Sequence, residues 1–133
     1  MIYGIGTDIF HSERINKLIL NYNEKFINRL FGKNEIKLSQ KKINKSLFFS
    51  KRFSAKVSFC KAFSSKNDES IYYKDIEILS DHLGKPIIKL NGKTKLQAIE
   101  KENKINRKFK FYISLSDEPP NVLSFVIIFL APL

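Results

Sequence analysis

The chain has 133 residues, of which 43% are hydrophobic and 13% aromatic. This length and composition predict one globular domain, over residues 1–133, and exclude a disordered chain. The formal net charge of +11 predicts an acidic partner, such as nucleic acid, anionic lipid, a phosphorylated ligand or an acidic protein. An alternative is that many of the lysines are simply hydrated on the surface and bind no partner. The single cysteine, Cys60, excludes an internal disulfide and fits a reducing cytoplasm.

The first predicted element is a strand over residues 2–9. Its alternation places Gly4, Gly6 and Asp8 on one face. A glycine in a strand often marks the close approach of a ligand or of backbone. We therefore expect open space beside Asp8 that a ligand can enter.

The next predicted elements are helices. Periodicity predicts one over 12–21, a second over 23–31, and a short third helix that Asn34 could cap after the break at "GKNE". The longest helix is predicted over 46–64, and we expect it to be largely buried because it is apolar around much of its circumference. At about 100° per residue, one polar arc of this helix holds Ser50, Ser54, Ser58 and Lys61, with Val57 at its edge.

The sequence of the second half of the chain predicts four strands and one helix. The predicted elements are strands over 75–79 and 86–90, a helix over 93–102, and strands over 109–115 and 122–130. Leu96 and Ile99 are expected to face inward on the helix. The last two strands should form an antiparallel hairpin because their connection is short. The final apolar run is too short for a membrane helix, which needs about 20 residues, and the first residues lack the basic region of a signal peptide.

Two site classes are excluded by counting. One cysteine and two histidines, His11 and His82, are too few and too scattered for a zinc site. The chain also has no GxxxxGK[ST] phosphate-binding loop. We expect both histidines to lie on the surface.

Three stretches carry the candidate chemistry. They are "GIGTDI" (4–9), "KRFSAKVSFCKAF" (51–63) followed by "DIEI" and "DHLGKP" (75–86), and "YISLSDE" (112–118). Each has an ordinary structural explanation when it is taken alone. In this order and spacing they resemble the holo-[acyl-carrier-protein] synthases, the small bacterial 4′-phosphopantetheinyl transferases, over almost the full length of the chain.

The resemblance is carried by four motifs. The opening strand I-x-G-x-G-x-D-[IL] is matched by 2–9. The central helix R-F-[AS]-x-K-E-[AS]-x-x-K-A-[FL]-G is matched by Arg52, Phe53, Ala55, Lys56, Lys61, Ala62 and Phe63. The strand pair is matched by Asp75, Glu77, Gly84, Lys85 and Pro86, and the last strand motif by 112–117.

The resemblance implies an activity and a site. The implied reaction, a step of fatty acid biosynthesis and lipid metabolism, moves 4′-phosphopantetheine from coenzyme A to a serine of apo-acyl carrier protein and releases adenosine 3′,5′-bisphosphate. Asp8 and Lys61 are the implied catalytic residues, with Asp8 as a Mg²⁺ ligand and Lys61 as a phosphate contact. Arg52, Lys56 and Lys61 are the implied contacts to coenzyme A. Hard oxygen ligands suit Mg²⁺, and a positioned lysine suits a phosphate on which charge develops.

The resemblance also implies a fold and a partner. The predicted elements give an α+β fold class, and the resemblance implies an antiparallel sheet packed against a long central helix in a homotrimer that has its active sites at subunit interfaces. The apolar last strand would serve that packing. The first helices would dock the acidic carrier protein through Arg14, Leu18, Lys25, Phe26 and Arg29.

One departure from the family pattern is serious. Val57 stands where the family has a second metal-ligand glutamate, and the glycine-rich turn after Phe63 is replaced by Ser64, Ser65 and Lys66. An active enzyme could complete the Mg²⁺ shell with coenzyme A phosphates and water, or Asp117 or Glu118 could supply the missing carboxylate.

The valine at position 57 is also compatible with a loss of activity. The chain could keep the fold with weak or lost activity and act only as a carrier-protein binder. Lys66 could partly compensate for the lost ligand by attracting phosphate. A basic nucleic-acid-binding module is a further hypothesis, although the sequence has no recognisable recognition motif.

Overall fold

The helices and strands follow the predicted order, with corrected bounds. The computed structural model describes residues 1–65, 68 and 70–133, with Asn23 described by its backbone alone. The elements are β1 (Ile2–His11), α1 (Glu13–Leu30), α2 (Lys33–Ser39), α3 (Lys45–Phe63), β2 (Ile76–Ser80), β3 (Pro86–Leu90), α4 (Gly92–Ile105), β4 (Lys108–Glu118) and β5 (Asn121–Ala131). A 3₁₀ turn over Tyr73–Asp75 precedes β2.

The strands form two antiparallel sheets. A three-stranded sheet has the order β1-β5-β4, and β2 pairs with β3. The predicted β4–β5 hairpin is confirmed, and its register aligns Leu115 with Ser124, which in turn aligns with Asp8 on β1. α3 crosses one face of the three-stranded sheet, where Phe59 and Phe63 pack with apolar residues of β5. The predicted α+β class, with an antiparallel sheet against a long central helix, is confirmed.

The glycines of β1 let α3 approach the sheet closely. A β-carbon added at Gly6 would overlap the carbonyl oxygen of Ser58, and one added at Gly4 would overlap that of Ala62. The expectation that these glycines leave open space for a ligand is therefore wrong. The backbone of α3 fills that space, because close helix–strand packing is the other use of a strand glycine.

The two helices predicted over 12–31 are one continuous helix, α1. Asparagine has a modest helix propensity, but it keeps the backbone N–H and does not clash as proline does. Asn21 and Asn23 therefore do not interrupt the hydrogen-bond ladder. Asn34 also does not cap α2, since the helix begins at Lys33 with Gly32 as its N-cap.

α4 presents a different face to the core than its periodicity predicts. Leu96 is 66% exposed and Ile99 is 40% exposed, while Thr94 and Ala98 are buried. Small side chains bring the helix axis closer to the core than leucine and isoleucine would allow. The prediction that Leu96 and Ile99 face inward is therefore wrong.

Candidate active site

Asp8 and Lys61 meet at the surface between β1 and α3. The Lys61 ammonium nitrogen (Nζ) lies 3.9 Å from Asp8 Oδ1 and donates a hydrogen bond of 2.9 Å to the carbonyl oxygen of Thr7. The Lys61 side chain is 56% exposed and that of Asp8 is 16% exposed. The structure therefore brings the two predicted catalytic residues together and leaves the ammonium open to a ligand.

Asp8 carries an unused acceptor. Its Oδ2 atom is buried and accepts no hydrogen bond from any described residue. A buried carboxylate oxygen without a partner is costly, and a cation would satisfy it. Val57 lies one helical turn before Lys61, on the same side of α3, and offers no oxygen.

The residues present fit a Mg²⁺ ion that takes few ligands from the protein. Within the described part of the chain, no three His, Cys, Asp or Glu side chains are grouped so as to hold a metal ion. Mg²⁺ in proteins is often held by one or two carboxylates, with phosphate oxygens and water completing an octahedron. Asp8 alone supplies the minimum of that set.

Neither Asp117 nor Glu118 is paired directly with Asp8 in the sheet register of one chain. Asp117 Oδ1 lies 2.9 Å from the ammonium of Lys51 and is already paired. The register places Asp117 two strands and two residues away from Asp8, so their Cα atoms are about 12 Å apart at ordinary sheet spacings. Glu118 is the next residue along and points to the opposite face of the sheet. The register of one chain therefore gives no support to the interpretation that one of them replaces the missing glutamate, which stays a prediction. Lys66 lies outside the described residues.

Two of the three serines of the polar arc, Ser54 and Ser58, join α3 to the sheet beneath Asp8. The Ser124 hydroxyl on β5 lies 2.8 Å from that of Ser54 and 2.5 Å from that of Ser58. Ser54 also donates a hydrogen bond of 3.3 Å to the backbone carbonyl of Asp8. The arc is therefore mostly a helix–sheet contact. Ser124, which the sequence did not single out, faces Asp8 across the β1–β5 pair.

Lys56 is a buried structural ion. Its side chain is 0% exposed, and its ammonium lies 2.6 Å from Glu35 Oε1. The same nitrogen donates hydrogen bonds to the carbonyl oxygens of Tyr73, at 2.9 Å, and of Ile76. An ammonium has three protons, so none is left for a phosphate. The prediction that Lys56 contacts coenzyme A is therefore corrected.

Glu35 is the counter-ion of Lys56. The sequence pattern places it only in the break at "GKNE". Its carboxylate also accepts hydrogen bonds from the backbone N–H groups of Gly32, at 3.0 Å, and Ile78, at 3.1 Å. Burial raises the pKa of Glu35 and lowers that of Lys56, while the attraction between the two groups opposes both shifts. Sequence periodicity could not have paired two residues on different helices.

Arg52 lines a cavity at the other end of α3. Its guanidinium carbon lies 3.7 Å from the centroid of the Phe48 ring, and its Nε is buried without a hydrogen-bond partner among the described residues. Burial lowers the pKa of Arg52 to about 10, against the attraction of Glu35, so the group stays charged at neutral pH. The cavity has a volume of about 470 Å³. Its lining includes Lys42, Phe48, Lys51, Gly84, Pro86 and Leu115.

The Arg52 cavity and the Asp8–Lys61 pair lie on opposite sides of α3. Arg52 and Lys61 are separated by about two and a half helical turns, and by about 13.5 Å along the helix axis. A half-integral number of turns places the two side chains on opposite faces. One chain therefore does not present both predicted contacts to the same side.

The predicted docking residues form a basic stripe on α1. In a continuous helix Arg14, Leu18, Lys25 and Arg29 fall within an arc of about 60°, and Phe26 lies about 60° beyond it. The three basic residues are exposed, while the two apolar ones are partly buried. This alignment requires α1 to be unbroken, which the sequence alone did not predict.

Among the described residues, every helix is too short or too polar to pass through a bilayer. The family model described as the 4′-phosphopantetheinyl transferase superfamily matches residues 4–114. The holo-[acyl-carrier-protein] synthase of Orientia tsutsugamushi (strain Boryong) is 45% identical over 130 residues, which cover 96% of this chain and 97% of that protein. The chain belongs to the 4′-phosphopantetheinyl transferase superfamily.

Solved structures of the same superfamily have the same fold. The synthase of Neisseria meningitidis superposes with a TM-score of 0.82 at 31% identity, covering 97% of this chain and 99% of that one. A synthase of Bacillus anthracis, solved in complex with CoA (3′,5′-ADP), gives a TM-score of 0.74 at 26% identity, covering 98% of both chains. The predicted family and enzyme class, the phosphopantetheinyl transferases, are confirmed.

Proposed function

We propose that this chain transfers 4′-phosphopantetheine from coenzyme A to a serine of apo-acyl carrier protein, as a single domain over residues 1–133 that acts in the cytoplasm. The observation that carries the proposal is the Asp8–Lys61 pair, in which a buried carboxylate oxygen that has no partner among the described residues lies beside an exposed ammonium. The names of the relatives lend no support to a chain that only binds carrier protein.

The pair suits phosphoryl chemistry. The exposed ammonium of Lys61 can donate charge-assisted hydrogen bonds to a phosphate oxygen and stabilise the charge that develops as coenzyme A is cleaved. Asp8 would hold a Mg²⁺ ion through its free oxygen. When bound, such an ion supplies positive charge for the pyrophosphate.

The Arg52 cavity is proposed to bind the nucleotide end of coenzyme A. Arg52 remains cationic at neutral pH, and Lys42 adds charge to the same cavity, whereas Lys51 is paired with Asp117. Arginine is well suited to phosphate because its planar guanidinium can donate two hydrogen bonds at once. The complex of the Bacillus anthracis synthase with CoA (3′,5′-ADP) supports a ligand of this kind.

A homotrimer would bring the two halves of the site together. Since the Arg52 cavity and the Asp8–Lys61 pair lie on opposite sides of α3, we propose that one coenzyme A molecule bridges two copies. The outer face of the three-stranded sheet supports assembly, because it exposes large apolar side chains that a soluble monomer rarely leaves uncovered. These are Ile5 (52% exposed), Ile9 (71%), Leu123 (48%), Phe125 (37%) and Phe129 (37%).

The basic stripe of α1 is proposed to dock the carrier protein. Acyl carrier proteins are acidic, so the stripe offers complementary charge, which raises the rate of encounter more than the affinity. The excess of positive charge over the whole chain acts in the same direction.

Mass spectrometry of apo-acyl carrier protein tests the function directly. After incubation with this protein, coenzyme A and Mg²⁺, we expect the carrier protein to gain the mass of one phosphopantetheine group. An unchanged carrier protein would contradict the proposal. DNA binding that weakens with salt, together with no binding of coenzyme A, would instead favour a nucleic-acid-binding module.

Replacing Val57 with glutamate tests the metal assignment. The new carboxylate would lie on the side of α3 that carries Lys61, and we expect the Mg²⁺ concentration for half-maximal transfer to fall by roughly tenfold or more. Titration of the initial rate with Mg²⁺ measures this. Val57→Gln is the matched control, since it adds the same length without a charge. An equal Mg²⁺ requirement in Val57→Glu and the native chain would show that this position does not contact the metal.

A further inference from the structure

The last turn of α3 ends without the usual glycine cap. Helices commonly end with a glycine in the left-handed conformation, which closes the last turn with backbone hydrogen bonds. Here the C-cap is Ser64, in an extended conformation with φ −80° and ψ 145°. Lys61 lies in this last turn, where helices tend to fray. The Ser64 N–H donates a hydrogen bond of 2.9 Å to the carbonyl oxygen of Cys60, and the Lys61 ammonium donates to Thr7. A contact to the chain beyond Ser64 would add to the order of this turn.

Lys101, on α4, contacts both the last turn of α3 and the segment after it. Its ammonium lies 2.8 Å from Asp68 Oδ2 and 4.9 Å from the centroid of the Phe63 ring. The same nitrogen lies 3.5 Å from the hydroxyl oxygen of Tyr3 on β1. The side chains of Lys101 and Asp68 are only 16% and 19% exposed. This ion pair is therefore better shielded from solvent than an ordinary surface pair.

Asp68 also contacts the residue that follows the end of α3. Its Oδ2 accepts a hydrogen bond of 2.6 Å from the backbone N–H of Ser65, and its own N–H donates to the carbonyl oxygen of Ser65 at 3.2 Å. Ser65 follows the C-cap directly. The carboxylate thus joins the end of α3 to Lys101.

Both partners favour their charged forms. Burial alone would raise the pKa of Asp68, but the hydrogen bonds from Lys101 and Ser65 outweigh it and lower that pKa. Burial alone would lower the pKa of Lys101, but the hydrogen bond to Asp68 raises it. The stabilisation due to Asp68 is therefore complete above the usual aspartate pKa and is lost only as the pH falls through the lowered value.

We propose that Lys101 is a positioning residue for the phosphate end of the active site. Through Asp68 and Phe63 it holds the last turn of α3, so that the Lys61 ammonium stays aligned with Asp8. This inference rests on the proposed function, because it assigns Lys61 to the phosphate of coenzyme A. It assigns Lys101 no contact with the substrate.

Steady-state kinetics with coenzyme A test the role. In Lys101→Met we expect KM for coenzyme A to rise by roughly fivefold, the scale of one weakened charge-assisted hydrogen bond, with a smaller change in kcat. Lys101→Arg should keep KM for coenzyme A close to the native value, and Asp68→Asn should raise it as Lys101→Met does. Lys104→Met is the matched control, since Lys104 lies on the same helix and its ion pair with Glu100 is exposed.

Hydrogen exchange of the Ser65 amide gives a readout that does not depend on activity. We expect this amide to exchange at least about tenfold faster in Lys101→Met and in Asp68→Asn than in the native chain or Lys104→Met. An unchanged KM or an unchanged Ser65 exchange rate in Lys101→Met would overturn the proposal, even if its melting temperature fell. If the native chain transferred nothing, the proposed function would fail, while Ser65 exchange would still decide whether Lys101 holds the turn.

Discussion

Asparagine in place of Asp8 is expected to lower the rate of phosphopantetheine transfer by at least about a hundredfold, the scale for losing one preorganised electrostatic contact in an active site. Asp8 is the carboxylate beside Lys61, and its free oxygen is the atom proposed to hold Mg²⁺. Asparagine keeps the size of the side chain and removes the negative charge. The rate of holo-carrier-protein formation at saturating Mg²⁺ measures the effect.

Two comparisons make the Asp8→Asn result specific. Glu100→Gln removes an exposed carboxylate on α4 and should leave the transfer rate unchanged. The far-ultraviolet circular dichroism of Asp8→Asn should match that of the native chain, because the backbone of Asp8 still accepts from Ser54. Native transfer rates in Asp8→Asn would rule out Asp8 as the metal ligand.

Alanine in place of Glu35 is expected to lower the free energy of unfolding by roughly 3–5 kcal/mol, which is the typical cost of breaking a buried ion pair. The change leaves the fully buried Lys56 ammonium without its counter-ion and removes the acceptor for Gly32 and Ile78. Urea denaturation measures the free energy, and both proteins must be compared at one concentration because the proposed assembly would add stability.

The exposed pair of α4 provides the contrast for Glu35→Ala. Glu100→Ala breaks a pair whose side chains are 69% and 74% exposed, and such pairs contribute at most about 1 kcal/mol. The double variant Glu35→Leu with Lys56→Met should recover much of the loss, since apolar replacements of similar size remove both charges together. A cost below about 1 kcal/mol for Glu35→Ala would contradict the interpretation that Lys56 is a buried charge that depends on Glu35.

Local patterns in the sequence predict most of the elements. The strand at 86–90 is predicted with its observed bounds, and the long helix differs by one residue at each end. Gly84, in the predicted turn between β2 and β3, has a φ of +82°, a conformation that favours glycine. These features depend on interactions between residues close in the chain. Such interactions leave a local signal in the sequence, either a periodic pattern or a turn residue.

The motifs also identify the centre of the candidate site. The family resemblance implies Asp8 and Lys61, and the fold places their charged atoms 3.9 Å apart. Their catalytic roles stay predictions. The same motifs contain Arg52 and Lys56 without any difference in local pattern. Arg52 nevertheless lines a cavity, while Lys56 is fully buried in the core.

The sequence by itself determined the family, the α+β class and the positions of the residues that carry charge. Only the tertiary structure decided which charges are available. Lys56 is neutralised by Glu35, which comes from another helix, and the space beside the β1 glycines is filled by the backbone of α3. Periodicity reports which residues share a face of one element. Whether that face meets solvent, a ligand or another element depends on contacts between distant parts of the chain.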